Sequence, residues 1–242
     1  GDAVAGLLAH QHDSGGFGYW DNDTEEPWLS ASAILALDAA SKHGFYVPHD
    51  ALDNGVTYLR RALARQKFKP SDDDDKTSDD ADDAQQADDS AEDGLSADDK
   101  LERAYAGAAF IADTLATLGK HDPGYLNQLY DARAHQALFT QALLLHAMAV
   151  GAMPKSQTAT LASEITARLR VDADTAYAEE QGTLYAPLLD SPARTTALAL
   201  RGLLAVDPKH PLAARLAKGL LAQRKSGAWE STQENAWALV AL

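Results

Sequence analysis

Gly6-Leu7-Leu8-Ala9-His10-Gln11 leads into a glycine-rich turn, Gly15-Gly16-Phe17-Gly18-Tyr19-Trp20, and Trp28 follows eight residues later. The same order returns near the other end: Gly219-Leu220-Leu221-Ala222-Gln223, then Ser226-Gly227-Ala228-Trp229, then Trp237. Each copy runs helix end, glutamine, glycine turn, tryptophan, acidic linker, second tryptophan and Ala/Leu-rich helix. These four are the only tryptophans, and the two Trp–Trp spacings are equal. The first turn reads as longer, with nine steps from Gln11 to Trp20 against six from Gln223 to Trp229. Self-similarity of this kind marks a repeat architecture. Stacked helix pairs that curve form solenoids or close into rings. Neither end carries a polar cap, so the reading is a ring, an all-α, α/α toroid.

Between the two copies the chain reads as helices joined by short polar turns. Pro27 opens a helix with Trp28, Ala31, Leu35 and Ala39 on one face, closed by Gly44. Pro48 opens another, striped by Leu52, Val56, Leu59 and Leu63. A helix from about Ala97 to Leu118 is crowded with small residues that let helix axes approach closely. Asp122-Pro123 caps a short helix, and a further one from Ala134 to Val150 carries both His135 and His146. Residues 172–189 break the pattern, with Thr175, Tyr177, Thr183 and Tyr185 around Gln181-Gly182, as in a small β-hairpin or ordered loop. Asp190 or Ser191 caps the next helix, and Ser231 with Glu234 forms a capping box for the last. About ten helices result. A six-pair ring needs twelve, so one pair is expected upstream, making this 242-residue toroid incomplete at its N-terminus.

The net charge is −15, but residues 71–99 hold fourteen Asp/Glu against one Lys and account for −13 of it. The remainder is nearly neutral, with no basic stripe to neutralise phosphates, which argues against nucleic acid as a partner. Residues 68–98 are Asp, Ser and Ala with almost nothing to bury, and read as a disordered acidic insertion within a single domain, 1–242. The absence of cysteine excludes disulfides, Cys-ligated zinc and thiol catalysis within these residues. No apolar run reaches the ~18 residues of a membrane span.

Chemistry-bearing motifs are sparse. Asp79-Asp80-Ala81-Asp82-Asp83 matches a magnesium-pyrophosphate spacing, and Asp72-Asp73-Asp74-Asp75 a proton-donor one. Both lie in the acidic tract, where any aspartate pattern finds a match. No histidine pair has metal-ligand spacing, so surface or capping roles are expected for all eight, with no metal, cofactor or catalytic residue assigned. Outside the tract the candidate paired acids are Glu179-Glu180, Asp190 and Glu234. Tyr19, Trp20, Trp28, Trp229 and Trp237 are candidates for turn packing or a domain interface. Gln11 and Gln223 are expected to bond backbone at helix ends.

Several strings carry a resemblance: Gly15-Gly16-Phe17-Gly18-Tyr19-Trp20, Pro27-Trp28-Leu29, Leu189-Asp190-Ser191-Pro192-Ala193-Arg194-Thr195-Thr196-Ala197-Leu198 and Trp229-Glu230-Ser231-Thr232-Gln233-Glu234-Asn235-Ala236-Trp237-Ala238-Leu239. They look like bacterial α2-macroglobulins, in the thioester or complement-like toroid domain. The resemblance implies a non-catalytic piece of a broad-spectrum bait-and-trap protease inhibitor used in host defence or colonisation. Its implied partners are target proteases, met in the intact protein, and neighbouring domains of the parent. Its implied location is the periplasm, anchored at the inner membrane through a parent lipoprotein chain. The family's Cys-x-Glu-Gln thioester signature would lie upstream of Gly1. The alternative is an enzyme on the same ring, terpenoid-cyclase-like or glycan-processing, which would gather paired carboxylates in a cavity.

Overall fold

The computed structural model describes residues 2–20, 24–65, 95–179 and 191–242. Among these residues are ten α-helices and one two-stranded sheet, an all-α fold. The chain divides into two compact units, residues 1–104 and 105–242. Of the acidic tract expected at 68–98, residues 68–94 lie outside the described residues, as do Gln181, Gly182, Thr183 and Tyr185, whereas Ala97 and Asp98 already belong to the first turn of the helix Ala97–Thr117.

The first unit holds α1 (Asp2–Leu8), α2 (Pro27–Lys42), α3 (His49–Arg65) and the opening turns of α4 (Ala97–Thr117). Pro27 occupies the first turn of α2, where its missing N–H costs no hydrogen bond. α2 packs on α3. Gly55 makes this approach possible, since a Cβ there would lie 2.7 Å from Ile34 Cδ1. The core face of α2 is Ser30, Ala31, Ala33, Ile34 and Leu37. The expected face differed: Trp28 and Leu35 are only part-buried, and Ala39 is exposed. α2 is apolar almost all round, so several 3.6-residue stripes fit it equally well. α3 is amphipathic, and it buries Val56, Leu59 and Leu63 as its pattern requires, while Leu52 stays part-exposed.

The second unit continues α4 and adds α5 (Pro123–Asp131), α6 (Leu138–Val150), α7 (Lys155–Arg168), α8 (Pro192–Val206), α9 (Ala213–Ala222) and α10 (Thr232–Ala241). α6 and α8 form its centre, each with ten buried residues. They approach closely at Gly202, where a Cβ would sit 3.0 Å from the Ala142 carbonyl oxygen. α5 and α7 flank α6, and α9 and α10 flank α8. Asp122 caps α5 by accepting from the Gly124 amide at 2.7 Å. Ser191 caps α8, accepting from Arg194 N at 3.2 Å. The Ser231–Glu234 capping box starts α10.

The β-hairpin pairs β1 (Arg170–Val171) antiparallel with β2 (Ala176–Tyr177). Its turn lies at 172–175, closed by Asp172 N to Thr175 O at 2.9 Å. His135 is not on α6 with His146. It belongs to a separate 3-10 turn, Arg133–His135, which ends at an extended Gln136.

Candidate functional site

The two aromatic corners share one construction. In the first, Gln11 Nε2 donates to the carbonyls of Gly15 at 3.1 Å and Ala51 at 2.8 Å. Phe17, six residues after Gln11, is 1% exposed. Its amide donates to Ser30 Oγ at 2.8 Å. In the second, Gln223 Nε2 donates to the Gly219 carbonyl at 3.3 Å. Trp229, six residues after Gln223, is buried, and its Nε1 donates to the Leu220 carbonyl at 2.9 Å. The Asn235 side chain brackets the Trp229 backbone, accepting from its amide at 3.3 Å and donating to its carbonyl at 2.9 Å. Ser30 and Asn235 each occupy the fourth helical position after the N-cap of their helix.

The structural counterpart of Trp229 is therefore Phe17, not Trp20. Gln11–Phe17 and Gln223–Trp229 are both six-residue spans, and the extra length of the first corner lies after its aromatic residue. The equal Trp–Trp spacings come from a register the backbone does not use. Tyr19 and Trp20 are instead 55% and 75% exposed. Tyr19 meets part-buried Trp28 edge-on, with centroids 6.3 Å apart. Trp237 is buried, edge-on to Phe110 at 6.1 Å.

Trp237 also borders the most heavily charged part of the interior. Asp113, from α4, is 0% exposed. Its Oδ2 accepts from Arg201 Nη1 of α8 at 2.6 Å, and its Oδ1 pairs with His146 Nδ1 of α6 at 2.5 Å. Arg201 Nη2 also donates to Thr117 Oγ1 at 3.1 Å, and its guanidinium lies 5.4 Å from the Trp237 ring centroid. Arg194, buried on α8, stands 5.7 to 6.0 Å from the rings of Phe139, Phe110 and Trp237. Burial alone would push the Asp113 carboxyl up, but Arg201 and His146 outweigh it and hold the group below its ordinary value. The sequence assigned Asp113 no role and gave His146 a surface or capping one, whereas it is paired with Asp113. The signal was present: a lone acid inside Phe110-Ile111-Ala112-Asp113-Thr114-Leu115, and a lone His and Arg in equally apolar runs, imply charges that must pair when buried.

Of the candidate paired acids, Glu179 and Glu234 are described, and each is engaged close to its own place in the chain. Glu234 is held by its capping box, and Glu179 pairs with Arg170 at 2.8 Å near the surface. Glu180 and Asp190 lie outside the described residues. Among the described residues, no three His, Asp or Glu side chains converge as a metal site, and no helix is long and apolar enough to cross a membrane.

No family model matches the chain. Alpha-2-macroglobulin of Escherichia coli K12 is 43% identical to it over 61 residues, a quarter of this chain and 4% of that protein. Native E. coli α2-macroglobulin, solved from domain MG7 to the C-terminus, superposes over 99% of the chain with TM-score 0.70 and 24% identity. Salmonella α2-macroglobulin reacted with methylamine covers 97% with TM-score 0.68 and 25% identity. The chain spans only 33% and 13% of those two solved chains. In local sequence the chain is similar to bacterial α2-macroglobulin, and in fold it is similar to a segment of the E. coli protein within the region from its MG7 domain to its C-terminus.

Proposed function

We propose that the chain is the thioester-like, complement-like helical domain of a bacterial α2-macroglobulin. It serves as a non-catalytic interaction module in a periplasmic bait-and-trap protease inhibitor anchored at the inner membrane through its parent chain. The observation that carries this reading is the structural likeness over 99% of the chain to the E. coli protein. That protein has been solved after activation by trypsin and by porcine elastase. The disposition of charge agrees. The one fully buried carboxylate among the described residues, Asp113, faces two basic side chains instead of a second acid, unlike the paired acids of a glycan-processing site. With no cysteine in these 242 residues, a thioester would need its thiol from elsewhere in the polypeptide.

The test uses the intact protein that carries this chain, mixed with trypsin or elastase. Trapping leaves the protease active on small peptide substrates and blocks its action on a large protein substrate. Pretreatment with methylamine separates a thioester-bearing parent, which loses covalent attachment, from one without it. Unimpeded digestion of the large substrate, after the protein itself has been cleaved, would overturn the inhibitor reading.

A further inference from the structure

α9 and its flanking turns carry a charge imbalance that the near-neutral average outside residues 71–99 hides. From Pro208 to Trp229 the chain has Lys209, Arg215, Lys218, Arg224 and Lys225, and no Asp or Glu. The fold decides which way this stretch points. Leu216, Gly219 and Leu220 are buried, and β2 crosses at Gly219, so one face of α9 is pinned against α8 and the hairpin. The other face is exposed, with Ala214, Lys218 and Ala222 in a row at four-residue steps and Arg215 and Leu221 beside it. Two of the five cations are engaged. Arg224 Nε donates to the Gly227 carbonyl at 2.8 Å with its guanidinium 5.3 Å from the Trp229 ring, and Lys225 pairs with Glu230 at 2.6 Å. Lys209, Arg215 and Lys218 are exposed and form no ion pair among the described residues. Asp207, the acid next to this stretch, turns its carboxylate to the Lys209 amide at 2.9 Å.

We propose that this face binds the surface of a bilayer that contains anionic phospholipid. Charge complementarity selects an anionic partner, and the state of the cations selects a fluid one. Lys209, Arg215 and Lys218 are long side chains held by no counter-charge, and ordering them against the fixed acids of a protein would cost rotamer entropy. Lipid headgroups instead move laterally beneath flexible cations, and each Lys or Arg near such a surface adds to the attraction. Leu221, 44% exposed among these cations, gives the headgroup layer an apolar contact. Nucleic acid offers phosphates too, but Trp229, the only Trp, Tyr or Phe in the stretch, is buried, which leaves no ring for bases to stack on. A chain of net charge −15 is repelled as a whole by an anionic surface, so the binding is confined to one face and fades as salt screens it. This inference goes beyond the protease-inhibitor reading and does not depend on it.

The experiment sediments the intact protein, freed of any lipid anchor, with vesicles of phosphatidylglycerol and phosphatidylethanolamine, and in parallel with vesicles of phosphatidylcholine. Binding is expected to the first only, and to be lost at high salt. Lys209→Gln, Arg215→Gln and Lys218→Gln should each weaken it about fivefold. The triple variant should abolish it with the denaturation midpoint unchanged, and Leu221→Ser should weaken it without altering its salt dependence. Arg65→Gln and Lys155→Gln, which remove exposed cations from α3 and α7, should leave it intact. Equal binding to both kinds of vesicle, binding that survives the three single variants, or no binding at all would overturn the proposal. So would retention on immobilised polyglutamate or DNA without vesicle binding, which would give the face to an acidic polypeptide or to nucleic acid. Protease trapping reads separately, and its presence or absence leaves the vesicle result standing.

Discussion

Arg201 and Asp113 meet at 2.6 Å around a carboxylate with no exposed surface, joining α8 to α4 in the heart of the second unit. Removing one partner strands the other charge. Asp113→Ala is expected to cost about 3–5 kcal/mol, measured by chemical denaturation. The double replacement Asp113→Leu with Arg201→Met should recover most of the loss, because a desolvated pair is often worth no more than the apolar residues that replace it. A double variant as unstable as the single one would show that the pair contributes more than its own desolvation costs.

The same carboxylate predicts an acid limb. Its native pKa lies below the ordinary 3.8, so its stabilisation is present above that value and is lost as pH falls through the lower native one. Denaturation midpoints of the wild type and Asp113→Asn, followed downward in pH, should converge. A gap that stays constant into strong acid would remove Asp113 from the titrating groups.

The reassignment of the first corner separates two aromatic residues three positions apart. Phe17→Ala empties a site 1% exposed and should cost about 3–5 kcal/mol. Trp20→Ala removes a larger ring from the surface and should change stability by less than about 0.5 kcal/mol. Equal losses would restore Trp20 as the partner of Trp229.

Much of the fold could be read locally. Pro27, Asp122, Ser191 and the Ser231–Glu234 box mark helix starts by satisfying or lacking end-of-helix donors, and such chemistry is visible within four residues. Gln11 and Gln223 do bind backbone at helix ends, as their position before a glycine turn suggested. What failed depended on partners distant in sequence. The equal Trp–Trp spacing was taken as the register of the repeat, although the bracketing Ser30 and Asn235 set a different one. His146 was expected in a surface or capping role because Asp113, 33 positions away, is invisible to a local reading.

Glycines with and without neighbours should respond oppositely to alanine. A Cβ at Gly219 of α9 would fall 2.0 Å from the Ala176 carbonyl oxygen, where β2 crosses the helix, so Gly219→Ala should cost about 1–3 kcal/mol. Gly107, inside α4, meets nothing within 4 Å. Gly107→Ala should stabilise by about 0.4–1 kcal/mol, through the unfolded chain's lost freedom. Thermal or chemical denaturation of the two variants decides both signs.

Tyr58 carries the alkaline counterpart of the acid limb. Burial first, and then the Glu25 carboxylate, push its phenol up from 10.0 to about 12, against an opposing hydrogen bond with Ser30. The folded state holds this proton more tightly than the unfolded chain does. The resulting stabilisation is complete below pH 10.0 and drains away as pH rises through about 12. Burial also pushes the Tyr105 phenol up, so absorbance titration of tyrosinate should show late-ionising phenols in the native protein, and Tyr58→Phe should remove the component near 12. The same variant should flatten the loss of stability above pH 10.0, since phenylalanine has no proton to lose. Gly16 packs against the Tyr58 ring itself, which Phe preserves, so the corner around Phe17 should survive the substitution and leave the pH profile as the readout that changes.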